Sequence, residues 1–241
     1  VLGSSPDGKV REGRQVGSVR KDGSMWALEG GRDPAAWLLD APGESYEARF
    51  SLEQSVEAVL SGLARGGRDF GVRWGLILCF IREANPESSV ATAAAAEKFR
   101  DRGIVGIDIA GDESAPAAPH AEGFRRARKL DVGITVHAGE AGPAANIREA
   151  VYVLGARRIG HGTKLVDEPR LMEDLARRGV AFEVCLTSNQ QTRSVPSIAR
   201  HPLPKMRAAG VRVTLNTDDP AVSRTTLSKE FARAERAFGF G

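Results

Sequence analysis

From residue 46 onward, short apolar runs alternate with amphipathic stretches, and that rhythm organises most of the chain. The runs at 46–50, 72–80, 104–109, 133–136, 158–160, 181–185 and 211–215 are nearly continuously apolar, as parallel strands buried on both faces must be. Between them the period is helical. Ser51, with Gln54 three residues on, resembles a capping box, and Leu52, Val56, Val59, Leu60 and Leu63 then recur at helical spacing until Gly66-Gly67. Further helices are predicted over 87–102, 121–130, 146–154 with Asn146 as the cap, 205–209 and 227–238, and one that opens on Pro169 and stops at Gly179. Residues 1–44 show no sustained period; Asp22-Gly23, between 16–19 and 25–28, marks one small hairpin there.

The chain therefore divides into an irregular, glycine-rich segment, 1–44, and a single α/β domain, 45–241. About seven strand-helix units predict an eight-stranded parallel barrel, of the (β/α)8 TIM type, with one unit missing. An open doubly wound sheet is the alternative that periodicity leaves standing.

Composition adds little that contradicts this. A chain that is 41% hydrophobic and 27% charged can bury a substantial core. The net charge of +3 comes mostly from scattered arginines, so nothing marks a nucleic-acid partner. No run approaches the ~18 apolar residues of a membrane span, and no basic region precedes an apolar core at the N-terminus. Cys79 and Cys185 each sit in an apolar run, as buried thiols of a reducing compartment do, and a cytoplasmic location is predicted. The chain opens on Val1 and closes on Gly239-Phe240-Gly241, which suggests truncation at both ends.

Residues with chemical potential cluster just after the strands. Val136-His137-Ala138-Gly139-Glu140 places an imidazole and a carboxylate at one strand end, and Ile159-Gly160-His161-Gly162-Thr163 sets a second imidazole between glycines that allow close approach to the backbone. Leu215-Asn216-Thr217-Asp218-Asp219-Pro220 places adjacent carboxylates after the last strand, where neighbouring side chains point in different directions and can serve different partners. Ile109-Ala110-Gly111-Asp112-Glu113 and Cys185-Leu186-Thr187-Ser188-Asn189 follow two other strands. In a parallel barrel these are the positions from which catalytic groups come.

Together, in this order and spacing, the five segments resemble the adenosine deaminase family of the amidohydrolase superfamily, which implies a zinc-dependent barrel enzyme of purine salvage acting on a small nucleoside. The resemblance makes His137 and Asp218 zinc ligands, Glu140 the acid that protonates the purine ring nitrogen beside the reacting carbon, and His161 the residue that orients the metal-bound water and takes its proton. Gly111, through its backbone, and Asp219 would hold the purine. One zinc ion would acidify a water to a pKa of about 7.

The sequence also departs from the family pattern. The His-x-His pair of the family's first barrel strand is absent, so two expected zinc ligands are missing and the barrel is expected to lack its first strand and its C-terminal helices. His120, in an Ala/Pro-rich stretch, and His201, beside Pro202, are expected to be plain surface residues. Leu186 stands where the family usually has Pro, and the passage from Phe50 into Ser51-Leu52 omits a short loop. Alternative functions are deamination of adenine or another aminopurine, or an inactive binding role. The His-x-Glu and Pro-Cys-x-x-Cys motifs of polynucleotide deaminases are absent, so no nucleic-acid substrate is expected.

Overall fold

In the computed structural model, which describes residues 51–240, helices and strands alternate along the chain. Ser51 caps α1 (Leu52–Phe70): its hydroxyl accepts from the Gln54 amide at 3.2 Å while Gln54 Oε1 accepts from the Ser51 amide at 2.8 Å, so the capping box forms as predicted. The helix does not stop at Gly66-Gly67. A Cβ on Gly67 would come 2.6 Å from Trp74 Nε1, so this glycine admits the indole, and termination falls to Gly71 at φ 65°. Strand β1 (Leu76–Ile81) correspondingly begins later than residue 72, where Leu76 meets Ile104 of the next strand.

The elements that follow are α2 (Pro86–Phe99), β2 (Ile104–Ala110), α3 (Ala121–Arg128), β3 (Gly133–Ala138), α4 (Ala144–Tyr152), β4 (Arg158–His161) and α5 (Pro169–Arg178). Then come β5 (Ala181–Val184), α6 (Leu186–Gln191), α7 (Leu203–Ala208), β6 (Arg212–Leu215) and α8 (Leu227–Phe238). Pro169 opens α5 and Gly179 ends it, as predicted. Asn146 does not cap α4, whose N-cap is Pro143; its amide is drawn instead to the Glu113 carboxylate, 3.1 Å away. Helix α6 has no counterpart in the sequence reading, because six residues with Leu186 as their one buried apolar side chain offer nothing periodic.

The six strands pair in sequence order, β1 to β6, all parallel. A doubly wound sheet reverses its order partway, so the alternative falls and the architecture is that of a partial (β/α)8 barrel. Among the described residues β1 and β6 form the two edges of the sheet. The predicted strand at 46–50 and the hairpin around Asp22-Gly23 lie outside the described residues.

Ile107, Ile109, Val136, Ile159 and Phe182 from the strands pack against Leu60, Phe124, Ile147 and Leu175 from the helices in one buried core. Phe80 meets Phe124 edge to face at 5.0 Å. A smaller cluster of Val184, Leu186, Leu203 and Ala234 seats α6, α7 and α8 near β5. Among the described residues no helix is long and apolar enough to cross a membrane, and both cysteines are outside any disulfide.

His120 and His201 are not surface residues. Both are buried. His120 Nδ1 lies 2.5 Å from Ser89 Oγ and its Nε2 lies 3.1 Å from the Arg82 carbonyl oxygen. Proline beside each histidine signalled irregular backbone, but an irregular backbone that covers a strand end is buried all the same.

Candidate active site

Strand β3 carries His137 to its C-terminal end. There His137 Nδ1 stands 2.8 Å from Asp108 Oδ2 on β2, and Arg82 Nη2 donates to the His137 carbonyl oxygen at 2.6 Å. A carboxylate at one ring nitrogen leaves the other for a ligand, the usual arrangement of metal-binding histidines. Asp108 is itself buried in an otherwise apolar strand, where its Oδ1 accepts from the Ile109 amide at 2.7 Å.

The turn after β3 is shaped by another strand's carboxylate. Glu113 accepts from the amides of Gly139, Glu140 and Ala141 at 2.6, 2.7 and 3.0 Å, and from Asn146 Nδ2. Burial pushes the Glu113 carboxyl up, but the Gly139 and Glu140 amides, Asn146 and the Ala141 amide together outweigh it and hold it below the usual range. With its backbone so fixed, Glu140 turns its Oε1 to Asn189 Nδ2 at 3.0 Å and Thr192 Oγ1 at 2.8 Å, both of which donate to it.

His161 ends β4 in the left-handed conformation at φ 63°, and Asp218, just beyond β6, does the same at φ 57°. For residues other than glycine, such conformations cost about 1–3 kcal/mol and cluster at functional sites. The flanking glycines admit protein neighbours: a Cβ on Gly160 would lie 3.2 Å from the His137 ring, and one on Gly162 would strike Phe182 at 2.3 Å. His161 Nε2 faces Glu140 Oε2 at 3.5 Å and Asp218 Oδ2 at 3.9 Å, and its ring centroid is 5.1 Å from that of His137. Burial and His137 push His161 down, against the pull of Glu140 and Asp218. Ser188 Oγ donates to Asp218 Oδ2 at 2.6 Å.

Four expected site residues, His137, Glu140, His161 and Asp218, thus meet at the C-terminal ends of β3, β4 and β6. Asp219 follows Asp218 but spends Oδ1 on its own turn, accepting from the amides of Ala221 and Val222 at 2.9 and 3.0 Å. Gly111 ends up against Glu83, whose Oε2 would lie 2.1 Å from a Cβ at that position. Ligand atoms of His161, Cys185 and Asp218 lie within 4.8 Å of one another. An imidazole, a carboxylate and a thiol are donors that zinc accepts, so the cluster fits a metal of that kind. Burial, with Asp218 and Glu140 adding to it, pushes the Cys185 thiol up and keeps it protonated in the absence of a metal.

Sequence reasoning assigned no role to Asp108, Glu113, Asn189 or His201. Asp108 had a readable signal, a lone carboxylate inside an apolar run. Glu113 and Asn189 stood in strand-end segments already singled out, but their partners, like that of His201, are 12 to 49 residues away and could not be read.

The adenosine deaminase family model matches residues 36–241. A curated adenosine deaminase of Enterococcus faecalis is 40% identical over 194 residues, covering 80% of this chain and 57% of its own length. The chain therefore spans little more than half of that relative. Among solved structures, an adenine deaminase from Arthrobacter aurescens superposes with a TM-score of 0.73 at 32% identity, covering 79% of this chain and 58% of that one. An amidohydrolase from Burkholderia ambifaria with bound zinc gives 0.75 at 31% identity, covering 80% and 55% respectively.

Proposed function

We propose that this chain, which belongs to the adenosine deaminase family, carries the larger part of a zinc-dependent active site that hydrolyses adenosine or deoxyadenosine to the corresponding inosine and ammonia. The observation that carries the reading is the meeting of His161 with Glu140 and Asp218, within 4 Å, beside His137. His137 and Asp218 are the proposed zinc ligands, and the Asp108 contact at His137 Nδ1 supports the first of these. Bound zinc supplies a water acidified to near-neutral pKa. Glu140 gives a proton to the ring nitrogen beside the carbon under attack, so that the ring can take up electrons as the new C–O bond forms. His161 orients the attacking oxygen from the side of β4. Gly111 and Asp219 hold the purine at the flanks, through a backbone group and a carboxylate. The protein is proposed to act in the cytoplasm on a small nucleoside, without nucleic acid or membrane.

The likeness to an adenine deaminase favours one second reading, in which the free base replaces the nucleoside. Against it, the Ala110-Gly111-Asp112-Glu113 and Gly160-His161-Gly162 forms look more like those of the nucleoside branch. Ammonia release by the zinc-supplemented protein separates these readings. Adenosine is expected to be consumed in preference to adenine; preference for adenine would install the second reading, and release from neither, even with a His-x-His strand fused ahead of the domain, would defeat both.

A further inference from the structure

We propose that His201 is a positioning residue of this site: through Asn189 it fixes the tautomer of His161, so that His161 presents an Nε2–H donor to the reaction centre. The inference rests on the deaminase reading above and refines the part His161 plays in it.

The proton logic runs through three buried residues. The Leu203 amide donates to His201 Nδ1 at 3.0 Å, which occupies that lone pair and leaves the ring proton on Nε2. His201 Nε2 lies 3.2 Å from Asn189 Oδ1, and a carbonyl oxygen can only accept there. The amide orientation is thereby set. Asn189 Nδ2 points the other way, 3.0 Å from Glu140 Oε1 and 3.0 Å from His161 Nδ1, with one hydrogen for each. Both of those atoms must offer lone pairs, so the His161 proton resides on Nε2.

Two further observations agree. His161 Nε2 faces side-chain oxygens of Glu140 and Asp218 at 3.5 and 3.9 Å, which can face an N–H as acceptors whether or not Glu140 holds its own proton. The opposite amide orientation would set Asn189 Nδ2 against His201 Nε2–H and Asn189 Oδ1 against Glu140 Oε1, in a place where none of the three residues can turn to water: Asn189, His161 and His201 are 0%, 3% and 4% exposed. Burial, with His161 adding to it, pushes His201 down to about 4, so it stays neutral near pH 7 and keeps its tautomer. His161 therefore meets the attacking oxygen as a hydrogen-bond donor. The proton-taking role implied by family resemblance needs a lone pair on Nε2, which this network denies.

Only four histidines occur in the chain, so two-bond ¹H–¹⁵N correlation spectra of the ¹⁵N-histidine-labelled protein at pH 7 can resolve each ring, with His161→Gln supplying the assignment. The expected result is a protonated Nε2 and an unprotonated Nδ1 for His161. His201→Gln keeps an N–H donor facing Asn189 and should preserve that signature, whereas His201→Leu should give a mixture of the two tautomers. Should the leucine variant fail to fold, Asn189→Asp tests the same link: it replaces the donor to His161 Nδ1 with an acceptor and should move the proton to Nδ1. A wild-type spectrum with the proton on Nδ1, a mixed spectrum for His201→Gln, or an unchanged spectrum for His201→Leu or Asn189→Asp overturns the proposal. The readout needs neither substrate nor metal, so failure to deaminate adenosine counts against the function proposed above and leaves this assignment intact.

Discussion

At Glu113 four donors meet one carboxylate, and three of them are consecutive backbone amides of the turn that carries Glu140. Gln at this position would turn an N–H towards one of those amides, so Glu113→Gln should cost about 1.5–3 kcal/mol, the range for hydrogen bonds to a charged group. The sign of its pH dependence follows from the depressed acidity: the folded state holds the charged form better than the unfolded chain does. That stability is present above the ordinary glutamate value of about 4.3 and is lost as pH falls through the lower folded value. Chemical denaturation between neutral pH and pH 3 should therefore lose stability more steeply in wild type than in Glu113→Gln; parallel curves would refute this. In a polypeptide completed with the His-x-His strand, Glu140→Gln keeps the side-chain shape but has no proton to give, so turnover should fall about 100-fold or more while zinc content, read by metal analysis, stays at the level of the parent protein. Asp219→Ala should instead raise KM, again with the metal retained. The types of these residues were legible from the chain, because chemistry was concentrated at strand ends. Their partners were not: nothing in the sequence joins Glu113 to the Gly139 amide, or Asn189 to His201.

Among the elements, α8 was read correctly from its period over Leu227–Phe238, yet the period hid its most consequential residue. Glu230 is fully buried and accepts from the Thr187 amide at 3.1 Å, Thr225 Oγ1 at 2.6 Å and Arg233 Nη1 at 2.8 Å, as well as from the Thr187 hydroxyl. In sequence it is indistinguishable from Glu235, an exposed residue of the same helix. Helix α6, which carries Asn189, is tied to α8 through this carboxylate. Glu230→Ala removes the anion from beside a half-buried Arg233 and from three other donors, among them the buried Thr187 amide and hydroxyl, so a loss of about 1.5–3 kcal/mol, the range for hydrogen bonds to a charged group, is expected. A urea midpoint lowered by less than the equivalent of about 1 kcal/mol would show the cluster to be dispensable. The strands were legible because burial on both faces leaves a continuous apolar signature. The start of β1 and the end of α1 were misplaced because they depend on where the Trp74 ring packs against Gly67.

For the whole molecule, the count of repeating units pointed to a partial barrel but left a doubly wound sheet standing, and only the consecutive parallel order β1 to β6 decides between them. Metal affinity belongs to this scale, since ligands come from several strands. The 241 residues contain four histidines and no His-x-His pair, so the zinc site proposed above has His137 and Asp218 as its ligands, with the Cys185 thiol close to Asp218. Such zinc should exchange readily with a mild chelator and support little turnover. Fusing a family strand that bears His-x-His ahead of Tyr46 should tighten binding by roughly 100-fold or more, beyond the effect of an outer-shell partner alone. Equal chelator resistance in both polypeptides would contradict that expectation. The consecutive strand order also bears on how the protein is made. Among the described strands, each after β1 finds a hydrogen-bonding neighbour in the unit translated just before it, so this part of the sheet can lengthen one repeat at a time as the polypeptide leaves the ribosome. Nascent chains stalled after β4 has emerged should already protect β1 to β3 from proteolysis.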